Sequence, residues 1–134
     1  LLPEHPQHPV VVMNGDLLVQ LDFGRMLSFH ARGGYHVTVG AKRYAHTVPY
    51  GCLTTDGERL ESIQEKPVLS RLVNAGIYVL SPKAIADIPN TFFPIVDLFH
   101  DALDKGRSCG VFEIENEWTD IGQPKDYLAA NGVV

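Results

Sequence analysis

Cysteine and tryptophan are scarce in this chain of 134 residues, with two of the first and one of the second. Two thiols are too few for a disulfide framework. Cys52 and Cys109 lie in apolar or strand-like surroundings, so both are expected as buried, reduced thiols in a cytoplasmic protein. No apolar run reaches the roughly 18 to 20 residues of a membrane span. The opening Leu-Leu-Pro-Glu-His-Pro-Gln-His-Pro has neither a basic region nor a signal-type apolar core, so a soluble protein with no membrane partner is expected. Positive charge is also short: 11 Lys and Arg stand against 16 Asp and Glu, a net charge of −5 with His neutral. That leaves no cationic surface for a phosphate backbone, and nucleic acid is not an expected partner. The six His show neither His-Glu-x-x-His spacing nor a Cys/His cluster, which argues against zinc. A Gly-x-Ser-x-Gly elbow, a Gly-x-Gly-x-x-Gly turn and a Walker loop are all missing, which argues against the chemistries built on them.

What is present suits one globular domain: 45% hydrophobic and 20% charged residues, enough for a core without disulfides. After a Pro-rich lead at 1–8, strands and helices alternate, the pattern of an α/β fold. Val10 to Met13 reads as a strand buried on both faces. Asn14-Gly15 then leaves two paths open, a hairpin into Asp16-Leu-Leu-Val or strand-to-helix traffic. The apolar spacing of Phe23, Met26, Leu27 and His30, with Asp22 as N-cap and Gly33-Gly34 as stop, predicts a helix and favours the second path. Further strands are expected over 35–41, 50–54, 59–65, 72–80 and 108–114, with a turn at Thr55-Asp56-Gly57. Short helices are expected after Ser81-Pro82 and from Gln123 through Ala130. A longer amphipathic helix is expected between Pro94 and Lys105, closed by Gly106. No linker divides the chain.

The residues suited to chemistry are acidic and sit at strand ends, where loops of open α/β sheets bind ligands. Asp16 there is either a turn residue or a ligand for Mg²⁺, which takes one or two protein carboxylates and fills its shell with water and phosphate. Asp120 is either a helix N-terminal residue or a second carboxylate on the same ion, in which case phosphoryl or nucleotidyl transfer follows. Trp118 beside it is a core anchor or a substrate stack. In Glu65-Lys66-Pro67 the proline biases Lys66 toward an extended conformation. The pair is either an exposed ion pair or a reader of sugar hydroxyl and phosphate. Asn74, in an otherwise apolar strand, is expected to be buried and bonded either to a ligand or to nearby backbone.

In order, Val-Met-Asn-Gly-Asp16, Pro49-Tyr-Gly51, Gln-Glu65-Lys66-Pro67, Val-Asn74-Ala-Gly-Ile-Tyr-Val-Leu and Trp118-Thr-Asp120-Ile-Gly-Gln-Pro-Lys-Asp-Tyr-Leu resemble the sugar-1-phosphate nucleotidylyltransferases. The resemblance is nearest to the mannose-1-phosphate guanylyltransferase type and to relatives that activate sugars for bacterial surface glycans. It implies a mixed, mainly parallel Rossmann-like sheet of the nucleotide-diphospho-sugar transferase type, with 9–134 as the sugar-phosphate and metal-binding part. It further implies Mg²⁺ on Asp16 and Asp120, sugar hydroxyls on Glu65 and Asn74, and sugar phosphate on Lys66. Gly51 would lie where backbone approaches the sugar, and Trp118 would shape the wall near the metal. The reaction implied joins a nucleoside triphosphate, GTP foremost, to a sugar 1-phosphate and releases pyrophosphate. The family's Gly-x-Gly-Thr-Arg loop has no counterpart before Val10. The expectation is therefore an excised C-terminal part of a catalytic domain, inactive alone and pairing with another copy to cover the gap. The other reading is a non-catalytic sugar-phosphate-binding or regulatory module.

Overall fold

The computed structural model describes residues 6–15, 17–19, 21–115 and 118–120, with the strand path alone for 17–19 and 118–120. Its contacts divide the chain into two compact units, residues 1–42 with 74–134, and residues 43–73. The crossings fall inside the strands β3 (Val37–Thr47) and β6 (Val68–Leu80), so no linker composition marks them.

The first unit holds a four-stranded sheet in the order β1-β6-β3-β7, with β1 over Val10–Met13 and β7 over Cys109–Glu113. β1 runs antiparallel to β6, from Val10↔Leu80 to Met13↔Ile77, and β3 runs parallel to β7, from Val37↔Cys109 to Ala41↔Glu113. The sheet is mixed and flanked by helices, as the resemblance implies, with one of these two pairings antiparallel and the other parallel rather than a mainly parallel set. The two-residue period of β6 explains the layering. Ala75, Ile77 and Val79 pack with Met26 and Ile114 in one cluster, whereas Tyr78 and Leu80 pack with Ala84, Ile85, Leu98 and Ala102 in another. The helix α1 (Phe23–Gly33) thus supplies Met26 to one cluster, while α2 (Pro82–Ala86) and α3 (Ile95–Asp104) supply the other. Each fully buried Leu, Ile or Val contributes about 1.5–3 kcal/mol of transfer free energy.

Local chemistry sets the helix ends as expected. The Asp22 carboxylate accepts from the Arg25 N–H at 3.2 Å, and Gly34, with φ of 62°, closes α1 in the left-handed conformation. Ser81 Oγ accepts from the Ala84 N–H at 3.3 Å ahead of the first-turn Pro82. Two imidazoles serve the packing of this unit. His30 Nδ1 lies 2.8 Å from Thr38 Oγ1 in a buried contact, and His36 Nε2 lies 3.2 Å from Asp87 Oδ2.

Several expectations are corrected. β1 is half-buried rather than enclosed on both faces, because among the described residues it ends the sheet with β6 as its one neighbour, and a β-branched run reads alike in central and edge strands. After Asn14-Gly15 the chain does not double back on β1 and goes on to α1, as favoured, but an unexpected short strand comes between. Leu17–Val19 (β2) pairs antiparallel with Trp118–Asp120 (β8), in a two-stranded sheet of its own. Both cysteines are free, as expected, but half-buried: Cys52 lies in an exposed hairpin and Cys109 opens a sheet-edge strand. Burial still pushes the Cys109 thiol above its ordinary pKa. The helix expected from Gln123 through Ala130 lies outside the described residues.

The second unit contains the antiparallel hairpin of β4 (Gly51–Asp56) and β5 (Arg59–Glu65), turned at Gly57 with φ of 57° and bulged at Thr54/Thr55. Every residue of β5 is exposed, and Leu53, Leu60 and Ile63 each leave about 60% of their surface to solvent. Among the described residues no helix is long and apolar enough to cross a membrane.

Candidate functional site

The first unit carries the carboxylate end of the expected site. Asp16 lies outside the described residues. Leu17, which follows it in sequence, is register-paired with Asp120, Leu18 with Thr119, and Val19 with Trp118. Asp120 is therefore the last residue of a strand, and that strand lies beside the one that begins directly after Asp16. Directly opposed residues of such a pair have Cα atoms about 4.5–5.5 Å apart.

Asn74 stands where β6 passes from exposed to buried. It is exposed, against the expectation of burial, because β6 on its N-terminal side is exposed at Val68, Leu69 and Leu72 and only half-buried at Val73. Its carboxamide bonds locally: Oδ1 accepts from the Gly76 N–H at 2.8 Å, and Nδ2 donates to Tyr78 Oη at 2.9 Å. Gly76 has a positive φ of 77°, and its carbonyl accepts from the Asn14 N–H at 2.9 Å. One backbone bond thus ties the Asn-Gly turn ahead of Asp16 to the stretch that carries Asn74.

The second unit brings Gly51, Glu65 and Lys66 together. Gly51 and Glu65 are a cross-strand pair, and a Cβ on Gly51 would lie 3.3 Å from Glu65 Oε2. Glycine lets the carboxylate lie over the backbone at that point. Lys66 departs from expectation: its φ is 46°, the one positive value outside glycine among the described residues, whereas Pro67 favours an extended residue before it. Two backbone bonds account for the departure. The Lys66 N–H donates to Tyr50 O at 3.2 Å and the Val48 N–H donates to Pro67 O at 3.0 Å, pegging the connection from β5 to β6 against residues 48–50. A left-handed lysine costs about 1–2 kcal/mol, so the fold holds Lys66 in place against its own preference.

The expected site therefore falls into two groups, one on each unit, with the Trp118 side chain undescribed. Sequence reasoning missed Tyr78 and the carbonyl of Tyr50. The spacing of Asn74, Gly76 and Tyr78 at alternate strand positions was the available signal for the first. For the second there was none, since a backbone acceptor leaves no mark on residue type. Among the described residues that line the cleft of about 260 Å³ between α1 and β7, which include Asp22, Arg25, Phe29 and Glu113, none is an expected site residue.

The model of a family described as Nucleotidyl transferase matches residues 1–134. A protein of Sulfolobus acidocaldarius, provisionally named as a mannose-1-phosphate guanyltransferase, is 36% identical over 124 residues, covering 91% of this chain and 34% of its own length. The Danio rerio mannose-1-phosphate guanylyltransferase catalytic subunit beta is 30% identical over 133 residues, covering 91% of this chain and 35% of its own. Among solved structures, HddC from Yersinia pseudotuberculosis, complexed with GMP-PN, matches with a TM-score of 0.62 at 26% identity. That match covers 92% of this chain and 54% of HddC. The chain spans about a third of the length of the curated relatives it matches.

Proposed function

The chain belongs to the nucleotidyl transferase family, and from that membership we propose that it serves transfer of a nucleotidyl group from GTP to a sugar 1-phosphate, with mannose 1-phosphate the first candidate. The observation that carries this reading is the register Leu17↔Asp120, which sets the strand ending in Asp120 beside the strand following Asp16. The guanine base is supported by the names of the guanyltransferase relatives and by the GMP-PN complex of HddC.

In such a reaction a sugar-phosphate oxygen attacks the α-phosphorus of the triphosphate in line and pyrophosphate leaves. Positioning and charge neutralisation lower the barrier, and no protein nucleophile is required. Asp16 and Asp120 offer two hard carboxylate oxygen donors, the chemistry Mg²⁺ takes from proteins, and the β2–β8 pairing sets the backbone of Leu17, next to Asp16 in sequence, opposite Asp120. When bound, the ion neutralises charge developing on the phosphates. Lys66, held left-handed by the bonds at Tyr50 and Pro67, meets the sugar phosphate. Glu65, lying over Gly51, accepts from a sugar hydroxyl, and Asn74 offers a donor and an acceptor. Trp118 forms a wall near the ion.

The test is in two parts. Calorimetric titration of the chain with mannose 1-phosphate in the presence of Mg²⁺ is expected to show binding that Lys66→Ala weakens by about tenfold or more, the scale of a lost charge-assisted bond. Pyrophosphate release from GTP by this chain alone is expected to be absent, because its sequence contains no Gly-x-Gly-Thr-Arg loop to grip the triphosphate. Binding that is indifferent to Lys66 contradicts the site. Release without that loop contradicts the division of labour.

A further inference from the structure

We propose that Tyr78 is a positioning residue for sugar recognition: its hydroxyl, reached across Gly76, locks the Asn74 carboxamide in a single orientation and so fixes the sense of the donor and acceptor offered to a sugar 1-phosphate. This rests on the reading above that Asn74 contacts the sugar.

The bond from Asn74 Nδ2 to Tyr78 Oη puts these two side chains on the same side of β6, across a Gly76 whose φ of 77° departs from extended geometry. The middle position has no side chain, so the amide can lie along the strand. Oδ1 takes the Gly76 N–H at 2.8 Å and Nδ2 reaches Tyr78 Oη at 2.9 Å. Reversing the amide would point the NH₂ at the Gly76 N–H, donor against donor, so the Gly76 bond selects the orientation and the Tyr78 bond holds its far end. Tyr78 suits that task because its ring is packed in the core. It is 3% exposed, and its ring packs on Phe99 with centroids 5.7 Å apart. A carboxamide has two N–H donors and two acceptor lone pairs. One of each is committed here, which leaves one N–H and one lone pair for a ligand. The Gly76 carbonyl is itself pegged by the Asn14 N–H at 2.9 Å, so the same short stretch is anchored to the turn that leads to Asp16. An exposed asparagine would otherwise spend its time among several rotamers, and a ligand would have to bear the cost of ordering it.

The test is a double-mutant cycle on this chain with Tyr78→Phe and Asn74→Ala, read by calorimetric titration with mannose 1-phosphate and by the ¹⁵N-resolved signals of the Asn74 carboxamide and the Gly76 amide. Phenylalanine keeps the ring, and thermal unfolding confirms the fold. Tyr78→Phe is expected to shift both sets of signals and to weaken binding about fivefold, the scale of one hydrogen bond. In the Asn74→Ala background it is expected to change affinity no further. Unchanged carboxamide signals, unchanged affinity, or an equal loss in both backgrounds would overturn the proposal. If Asn74→Ala binds as tightly as the parent, or if the parent binds no sugar phosphate, the underlying reading of Asn74 fails and the proposal falls with it. The carboxamide signals then still show whether Tyr78 holds the amide, which separates the two failures.

Discussion

The strand β6 passes through two environments: residues 75–80 are buried without exception, whereas 68–72 are exposed throughout. The first stretch belongs to a unit with two packed clusters. The second belongs to a unit of which the described hairpin buries almost nothing. The contrast teaches that this chain specifies shape by two means. The sheet and its helices are held by apolar burial, and the β4–β5 hairpin by turn chemistry, register and backbone bonds, which alone give a two-stranded hairpin only marginal stability. The residues proposed to grip the sugar phosphate, Glu65 and Lys66, sit on the unit where substitution of surface residues is cheap. Asn74 begins the unit where it is not.

The largest difference expected between the units is in truncation. Ile77→Ala or Leu80→Ala, each at a position with no exposed surface, should cost about 2–5 kcal/mol in urea unfolding. Leu53→Ala or Ile63→Ala should cost less than about 1 kcal/mol. Equal losses would mean that the hairpin packs on something the described residues do not include. A smaller effect, of opposite sign, is expected at the connection from β5 to β6. Lys66→Gly should raise stability by about 0.5–1 kcal/mol, since relief of the left-handed strain exceeds the entropy cost of glycine, while weakening sugar-phosphate binding. The two readouts moving in opposite directions is the mark of a residue kept for function.

Acid should act on the buried unit. Burial, and then the nearby His36, hold the His30 imidazole below its ordinary pKa of 6.5. The unfolded chain therefore takes up this proton more readily than the folded one. The stability that depends on neutral His30 is present above pH 6.5 and is lost progressively as the pH falls below it. His30→Gln should flatten that part of the pH–stability curve, and an unchanged slope would assign it elsewhere. The smallest contrast is between the thiols. Cys109, its pKa raised by burial, should react with a disulfide reagent near pH 8 more slowly than Cys52, measured by mass spectrometry of modified peptides.

Much of the buried unit is legible in the sequence, because its signals are local. The Asp22 cap, the Gly34 stop, the Ser81-Pro82 start and the apolar spacing of Leu98 and Ala102 each act within a turn or two of the chain. Long-range choices are not legible in that way. Nothing local in Leu17–Val19 says that its partner is Trp118–Asp120 rather than Val10–Met13, and an Asn-Gly turn argues for the nearer strand. The left-handed Lys66 is invisible for a related reason: the Pro67 rule is local, and the bonds that override it come from residues 48–50. Asn74 misleads because apolar neighbours imply burial only when something packs on them. The motifs named the candidate residues, but the bond that orients Asn74 came only from the fold.

The central claim is that Asp16 and Asp120 share one divalent cation. Mn²⁺, a paramagnetic stand-in for Mg²⁺, should broaden the amide resonances of residues 17–19 and 118–120 together at substoichiometric concentration. Asp16→Asn and Asp120→Asn should each abolish the effect on both strands. Broadening that is confined to one strand, or that survives either substitution, would contradict the account.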